Sequence, residues 1–181
     1  MLLEERPPTD AGLSALLTAA FDELVKRNGP EGRSAVHAEA RYLVALVEAQ
    51  PVGCGAIQPA GAATAELKRM YVIPSARGQG VARALLAGLE DLARGSGLRV
   101  MRLATGVRQP EAIGLYESSG YAPTEPYGKY VGQPLTRCYE KVLTTDGPGS
   151  CTENDNPNSL SVHATSPGNA GCIRPKGEDR P

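Results

Sequence analysis

The amino-acid sequence predicts a mixed α/β fold, of the α+β type, in which helices flank a central sheet. Three segments carry apolar residues at the three- and four-residue spacing of amphipathic helices. Short apolar runs rich in β-branched residues alternate with those segments, an order typical of a helix-covered mixed sheet. With 181 residues, of which 41% are hydrophobic and 22% charged, the chain is sized for one globular domain rather than two.

The first half of the chain begins with a strand and a helix and continues with three strands. The short first strand covers Leu2–Glu5. Thr9-Asp10 supplies a helix start, because a short polar side chain can accept the first free backbone amides, and Asn28-Gly29-Pro30 ends that helix. The strands that follow are Tyr42–Glu48, Val52–Gln58 and Glu66–Ile73, the first two joined as a hairpin through Ala49-Gln50-Pro51.

The second half continues the alternation with two helices and three strands. A helix over Gly80–Arg94 carries an apolar stripe at every third or fourth position, and Gly95-Ser96-Gly97 stops it. The later elements are a strand over Arg99–Thr105, a helix from Gln109 to Ser119, a strand from Tyr121 and a last strand over Arg137–Leu143.

The charge balance and the cysteines exclude several classes of protein. Nineteen Lys plus Arg against twenty Asp plus Glu argue against nucleic acid or an anionic membrane as the main partner. The sequence has no apolar run of about 18 residues, and its first ten residues lack the apolar stretch of a secretory signal. Its four cysteines lack C-x-x-C spacing, so we expect no metal site and a cytoplasmic protein with reduced thiols.

The composition divides the chain into a folded domain over residues 1–145 and a tail over 146–181. Only seven of the 36 tail residues are hydrophobic, and Pro, Gly, Ser and Asn make up half of the segment. Such a segment buries too little apolar surface to offset an ordering cost of roughly 1–2 kcal/mol per residue. We therefore expect the tail to be disordered.

The most informative segment is the glycine turn between the third central strand and the next helix. Gly78 and Gly80 let the backbone approach a ligand closely, and the helix N-terminus behind them attracts negative charge, which suits a diphosphate. A P-loop would need G-x-x-x-x-G-K-[ST], which the sequence lacks. A dinucleotide turn would need a third glycine where this chain has Arg83.

Two motifs around this turn resemble one family. Arg77-Gly78-Gln79-Gly80-Val81-Ala82 matches the R/Q-x-x-G-x-G/A signature of the GNAT superfamily of acyl-CoA-dependent N-acetyltransferases. Met70–Pro74 looks like the end of that family's preceding strand, and Glu111–Tyr121 is similar to its A-I-x-L-Y-x-x-x-G-F/Y helix. The resemblance covers about residues 2–143. It implies a mostly antiparallel sheet of the GNAT type, with acetyl-CoA as co-substrate.

The resemblance also implies which residues bind the coenzyme, with the backbone of Met70 and Val72 pairing with the pantetheine amides. The family often has Asn where this chain has Gln109. Relatives with similar segments tend to carry Glu-Thr-Gly where this chain has Ala104-Thr105-Gly106, so their substrate is not carried over. The implied coenzyme contacts are Met70, Tyr71, Val72, Arg77, Gly78, Gln79, Gly80, Val81, Ala82, Arg83 and Gln109.

Glu66 is the predicted general base. Acetyl transfer needs a neutral amine, and deprotonating an alkylamine of pKa near 10.4 costs about 4.6 kcal/mol at pH 7. In a regular strand Glu66 shares one face with Lys68, Met70 and Val72, but the bulge that the family usually carries in this strand would change which side chains reach the cleft. An ion pair with Lys68 is the structural alternative for Glu66.

Tyr116 is the predicted acid, because the resemblance places it near the coenzyme sulfur, where a phenol can protonate the leaving thiolate. Packing between Leu115 and Tyr121 is its structural alternative. The resemblance implies direct transfer in a ternary complex, with the oxyanion bound by a backbone N–H near Val72. Cys138 is accordingly expected to be a buried strand cysteine rather than a nucleophile.

The acceptor is predicted to be the amine of a small molecule that carries a carboxylate. Two alternatives stay open: an acetyltransferase that modifies a protein lysine or N-terminus, and a non-catalytic acyl-CoA-sensing module. A homodimer is also left open. The side chains behind the small-molecule prediction lie in or near the loop Tyr121–Gln133 and are Tyr127, Lys129, Tyr130, Arg102 and Arg108.

Overall fold

The computed structural model describes residues 1–28 and 35–144. The predicted tail over 146–181 and the turn residues Gly29-Pro30 lie outside the described residues. The helices are α1 (Ala11–Asn28), α2 (Val81–Gly95) and α3 (Pro110–Ser118). The strands are β1 (Leu2–Arg6), β2 (Arg41–Val47), β3 (Gln50–Pro59), β4 (Thr64–Val72), β5 (Val100–Gly106), β6 (Ala122–Thr124) and β7 (Thr136–Val142).

The order of helices and strands confirms the order predicted from hydrophobic periodicity, and local signals account for where several of them begin. Asp10 caps α1, since its Oδ1 accepts the backbone N–H of Leu13 at 2.8 Å. The β2–β3 turn is tighter than predicted: it consists of Glu48 and Ala49, both with positive φ (49° and 62°). The predicted turn residues Gln50 and Pro51 therefore belong to β3.

The sheet is mixed and mostly antiparallel, as predicted. The order of its seven strands is β1-β2-β3-β4-β5-β7-β6 within the described residues. Only the β4–β5 pair is parallel among those neighbours. The last strand, β7, inserts between β5 and β6, a pairing that strand order along the chain does not predict.

Each face of the sheet is covered by apolar side chains and a helix. On one face, α2 buries Leu85, Leu86 and Leu89 against side chains of β4 and β5 that include Leu67 and Leu103. On the other face, α1 buries Leu13 and Leu16 against β2 and β3, and we call this the α1 face. None of the helices in the described ranges is both long and apolar enough to cross a bilayer.

Strands β4 and β5 pair over a short length and then separate. Their parallel register joins Thr64 to Val100, Ala65 to Met101 and Glu66 to Arg102. Beyond these pairs β4 continues to Val72 and β5 to Gly106, and the described register contains no further pairing between the two strands. A gap therefore opens between β4 and β5, with Glu66 and Arg102 at its closed end.

A β-bulge at Arg69 interrupts β4. Arg69 has φ of 58°, and the β3–β4 register shifts between Cys54 and Ala56. The extra residue reverses the alternation of side chains, because successive strand residues point to opposite faces. Met70 and Val72 consequently pack with α2. Lys68 pairs with Ala56, which lies on the α1 face, so Lys68 and Glu66 both lie on the α1 face. The single shared face predicted for a regular β4 is wrong for this reason, and the bulge implied by the resemblance is present.

Candidate active site

The turn before α2 presents backbone amides to an open space. Gly78 and Gly80 have φ of 74° and 80°, and a Cβ built on either would meet no heavy atom within 4 Å. Gly80 is the N-cap of α2, no side chain caps this helix start, and its first turn carries no acid. The first amides of α2 and the positive end of its dipole are thus arranged to bind an anion.

The polar side chains of this turn fold back onto the protein. The Arg77 guanidinium donates to the Val72 carbonyl at 2.9 Å and to Glu23 of α1 at 2.5 Å. Gln79 Nε2 donates to the Ser75 carbonyl at 2.9 Å. The predicted coenzyme residues Arg77 and Gln79 therefore brace the turn through their side chains, and the open surface is backbone.

The gap between β4 and β5 exposes the inner edge of β4. The N–H of Ile73 bonds the Val52 carbonyl of β3 at 2.9 Å. Since backbone groups alternate in direction along a strand, the N–H of Val72 points away from β3, toward the gap. This is the donor that the resemblance placed near the thioester carbonyl.

Tyr116 of α3 is buried, with 6% of its surface exposed. Its ring packs edge-on against that of Tyr121, with centroids 5.8 Å apart. Burial raises the pKa of Tyr116, so the phenol keeps its proton at neutral pH. Gln109, at the N-cap of α3, accepts a hydrogen bond from Thr105 Oγ1 at 2.9 Å through Oε1.

Glu66 lies at the centre of a buried polar cluster on the α1 face. It is 6% exposed, and Lys68, at 9%, places Nζ 2.7 Å from Glu66 Oε1. Gln58 Nε2 donates to Glu66 Oε2 at 2.9 Å, and the Tyr127 and Tyr130 hydroxyls lie 3.2 and 3.3 Å from Oε1. We call these five residues the acceptor cluster. The loop between β6 and β7 thus reaches the predicted base, as expected, and the ion pair with Lys68 named as its alternative is present.

Cations border the acceptor cluster. The Arg102 guanidinium carbon lies 4.0 Å from the Tyr127 ring centroid, and its Nη2 donates to the Ala60 carbonyl at 3.0 Å. The ammonium of Lys129 lies 5.3 Å from the centre of the Tyr130 ring. Arg108, by contrast, is exposed in the turn before α3.

The β4–β5 gap is therefore bordered by a turn that suits an anion, an inward-directed amide and a buried carboxylate, and α3 carries a buried phenol on the α2 side of the sheet. Together these groups can hold a phosphorylated carrier, polarise a carbonyl and move protons. The model of the acetyltransferase (GNAT) family matches residues 11–121. The chain belongs to this family.

Relatives and solved structures agree with that assignment. The GNAT acyltransferase described here is 44% identical over 104 residues to an IAA acetyltransferase of Azospirillum brasilense, covering 57% of this chain and 68% of that protein. It is 32% identical, with a TM-score of 0.70, to a Klebsiella pneumoniae protein described as an acyl-CoA N-acyltransferase, covering 79% and 97% of the two chains. A Salmonella typhimurium protein described as an acetyltransferase, yncA, solved with acetyl-CoA, shares the fold at 20% identity and a TM-score of 0.59, covering 83% and 100%.

Sequence reasoning missed two contributors to the site of this acetyltransferase. Gln58 binds the second oxygen of Glu66, because it pairs with Glu66 directly across β3 and β4. Glu23 of α1 holds Arg77, although the two residues are 54 positions apart. The pairing of β3 with β4 could have suggested Gln58 once the register of these two strands was known. No local signal points to Glu23.

Proposed function

We propose that this acetyltransferase moves the acetyl group of acetyl-CoA directly to a primary amine of a small molecule, with both substrates bound together. The observation that carries the proposal is the position of the β4–β5 gap. It runs from the anion-binding turn before α2 to the closed end at Glu66 and Arg102, beside the acceptor cluster. A carrier held by its phosphates at the turn has a path through the gap to the amine.

The residues present fit acetyl-CoA. Positive φ at both glycines and the uncapped α2 start suit its diphosphate, and the edge of β4 that faces the gap suits the amides of its pantetheine arm. When bound, acetyl-CoA supplies the acetyl thioester that reacts. The residues proposed to hold it are Met70, Tyr71, Val72, Arg77, Gly78, Gln79, Gly80, Val81, Ala82, Arg83 and Gln109.

Glu66 is the proposed base. It takes one proton from the acceptor nitrogen as the N–C bond forms, a step for which a positioned base typically contributes 10²–10⁴-fold. Lys68 and Gln58 hold the carboxylate in one orientation through their contacts with its two oxygens. The proton on Glu66 then passes to solvent.

Val72 and Tyr116 complete the transfer. The Val72 N–H stabilises the negative charge that develops on the carbonyl oxygen, and a donor in such a position is worth about 3 kcal/mol. Tyr116 gives its proton to the sulfur as the C–S bond breaks, and regains one from solvent. The products are the N-acetylated acceptor and free coenzyme A, so atoms and charge balance.

A small acceptor is supported by the enclosure of the cluster. Tyr127 and Tyr130 cover Glu66 and Lys68, which leaves those two groups less than a tenth exposed. A relative of this chain is named for one acceptor, IAA. A protein lysine or N-terminus would need an open groove on the α1 face. A cytoplasmic location stays a prediction.

The test uses the purified full-length protein with acetyl-CoA, first by calorimetry and then with amines, amino acids and lysine peptides in a free-thiol assay. We expect heat on mixing with acetyl-CoA, and turnover with small amines. Absence of acetyl-CoA binding to folded protein would remove the proposal. Activity on peptides alone would replace the small acceptor with a protein, and binding without turnover on any amine would indicate the sensing module.

A further inference from the structure

We propose that the acceptor carries a carboxylate as well as its amine, and that Lys68 and Arg102 bind this carboxylate beside Glu66. The inference rests on the proposed function and names the substrate class of the same site. It assigns Lys68 and Arg102 to substrate binding. The acceptor would thus be an amino acid or a molecule with the same two groups.

Positive charge exceeds negative charge in and around the acceptor cluster. Lys68, Arg102 and Lys129 contribute three positive charges, and Glu66 and Glu140, which lies directly across from Arg102 on β7, contribute two negative charges, which leaves a surplus of one. In the described part of the chain, the ion pairs of these three cations include no carboxylate besides Glu66. Burial and the charge of Lys68 lower the pKa of Lys129, as expected where cations outnumber anions. Lys68 is buried and paired with Glu66, Arg102 is half-buried and Lys129 is exposed, and such a local excess of positive charge favours an anionic ligand.

Arg102 is held in a fixed position and carries an unsatisfied donor. Its side chain is held between the Tyr127 ring and the Ala60 carbonyl, and its buried Nε finds no hydrogen-bond partner among the described residues. Arginine is suited to carboxylates because its planar head offers several donors at once. An unsatisfied buried donor on such a fixed side chain indicates a position prepared for an acceptor oxygen.

Strand register places Lys68 and Arg102 near each other on one face of the sheet. Arg102 lies directly across from Glu66, and Lys68 follows Glu66 by two residues, about 7 Å further along β4 on the same face. Their long side chains can therefore meet on one carboxylate. The Tyr130 hydroxyl, 2.7 Å from Lys68 Nζ, now occupies an oxygen position that a carboxylate would take. The amine of the same molecule would then lie beside Glu66, the proposed base.

The test compares amino acids with their amides as acceptors at saturating acetyl-CoA, using glycine, β-alanine and γ-aminobutyrate to vary the spacing. The amides have the more easily deprotonated amines, so intrinsic reactivity works against the expected result. We expect kcat/KM to be at least tenfold higher for the best acid than for its amide. Arg102→Gln should remove about 10- to 100-fold for the acid, mainly through KM, and little for the amide.

Two controls keep the result interpretable. Arg99→Gln makes the same change of charge at an exposed arginine three residues away, and should leave the preference intact. Arg102→Lys should recover part of the lost preference. If Arg102→Gln fails to fold, the comparison of acid and amide on the unaltered protein still decides.

A binding arm separates the two proposals. N-acetylated forms of the same acids and amides are titrated into the unaltered protein saturated with coenzyme A. Preferential binding of the acids without turnover on any amine supports the carboxylate site and overturns the proposed catalysis. Turnover with equal or better use of the amides overturns the carboxylate site and leaves the catalysis standing. Neither binding preference nor turnover overturns both.

Discussion

The two ends of the β4–β5 gap are built in opposite ways. At the turn proposed to hold the coenzyme the open surface is backbone, with open space around Gly78 and Gly80 and with side chains folded away. At the acceptor cluster the surface is made of side chains, and Glu66 and Lys68 are almost completely buried. The first region is open and local in sequence, whereas the second is closed and assembled from distant segments.

This difference indicates where family membership and substrate choice reside. A backbone-built turn depends on glycines and a helix start, so it suits one ligand in many related proteins. A side-chain cluster changes with each substitution, and it can therefore select an acceptor. If the two regions are functionally as distinct as they are structurally, substitutions at the turn and in the acceptor cluster should affect different steps.

The largest expected effect comes from Glu66→Gln. The variant keeps the size of the side chain and removes the proposed base, so kcat should fall by 10²–10⁴-fold at pH 7. Part of the loss should be recovered at high pH, where the acceptor amine is neutral without help. Acetyl-CoA affinity, measured by calorimetry, should not change. Glu48→Gln, at an exposed position of the β2–β3 turn, is the control, and an unchanged kcat for Glu66→Gln would leave Glu66 a structural partner of Lys68.

Tyr116→Phe should lower kcat by about 10²-fold, because the leaving thiolate loses its proton donor. The ring and its packing remain, so the melting temperature should move little. Tyr121→Phe provides the matched control, since it removes the hydroxyl of the ring that packs against Tyr116. A fall in kcat that is accompanied by a clear fall in melting temperature would identify Tyr116 as a packing residue.

Gly80→Ala should weaken acetyl-CoA binding by about 5- to 30-fold in calorimetry. A left-handed backbone costs a residue with a Cβ roughly 1–2 kcal/mol, and Gly80 has φ of 80°. Gly95→Ala is the control, because Gly95 lies in the same helix, lacks positive φ and has open space around its Cβ. Tight binding by the Gly80 variant would show that the turn does not need this conformation.

The smallest effect is expected from pH on the acceptor cluster. Burial, followed by the charge of Glu66, raises the pKa of Tyr127, and burial raises that of Tyr130. A phenol with a raised pKa stabilises the fold fully below pH 10, and this contribution is lost as pH rises above about 10.

Urea unfolding at pH 8 and 10.5 should show that the free energy of unfolding falls less between these two pH values for Tyr127→Phe than for the unaltered protein. Gly80→Ala, which removes no titrating group, should follow the unaltered protein. Equal losses in all three proteins would contradict the prediction.

The order of elements and the coenzyme turn were predictable because their signals are contiguous. The spacing in α2, the cap at Asp10 and the glycines before α2 each lie within a few residues of the structure that they specify. The resemblance to the family added the mostly antiparallel sheet and the bulge in β4. The single face expected of a regular β4 does not form, since Arg69 lies in the left-handed region and reverses the alternation beyond it, as the bulge implied by the resemblance would do.

The acceptor cluster shows how far residue types alone can lead. Tyr127 and Tyr130 were identified from a loop rich in Tyr, Pro and Gly, and both reach Glu66. Arg102 and Arg108 were proposed together for their charge, but only Arg102 lies at the cluster, because β5 pairs it with Glu66. Strand register determines that Arg102 rather than Arg108 lies at the cluster, and register is set by pairing across the whole sheet.

By itself, the sequence determined the succession of strands and helices and the conformation of the turn at Gly78 and Gly80, since both follow from short-range sterics and hydrogen bonding. Tertiary structure decided which side chains contact Glu66. These contacts range from the ion pair with Lys68, two positions away, to the hydrogen bond from Tyr130, 64 positions along the chain. The physical reason is that contacts between distant residues depend on strand order and on the β4 bulge. Both depend on how strands pair across the sheet, so the sequence of a single segment does not predict them.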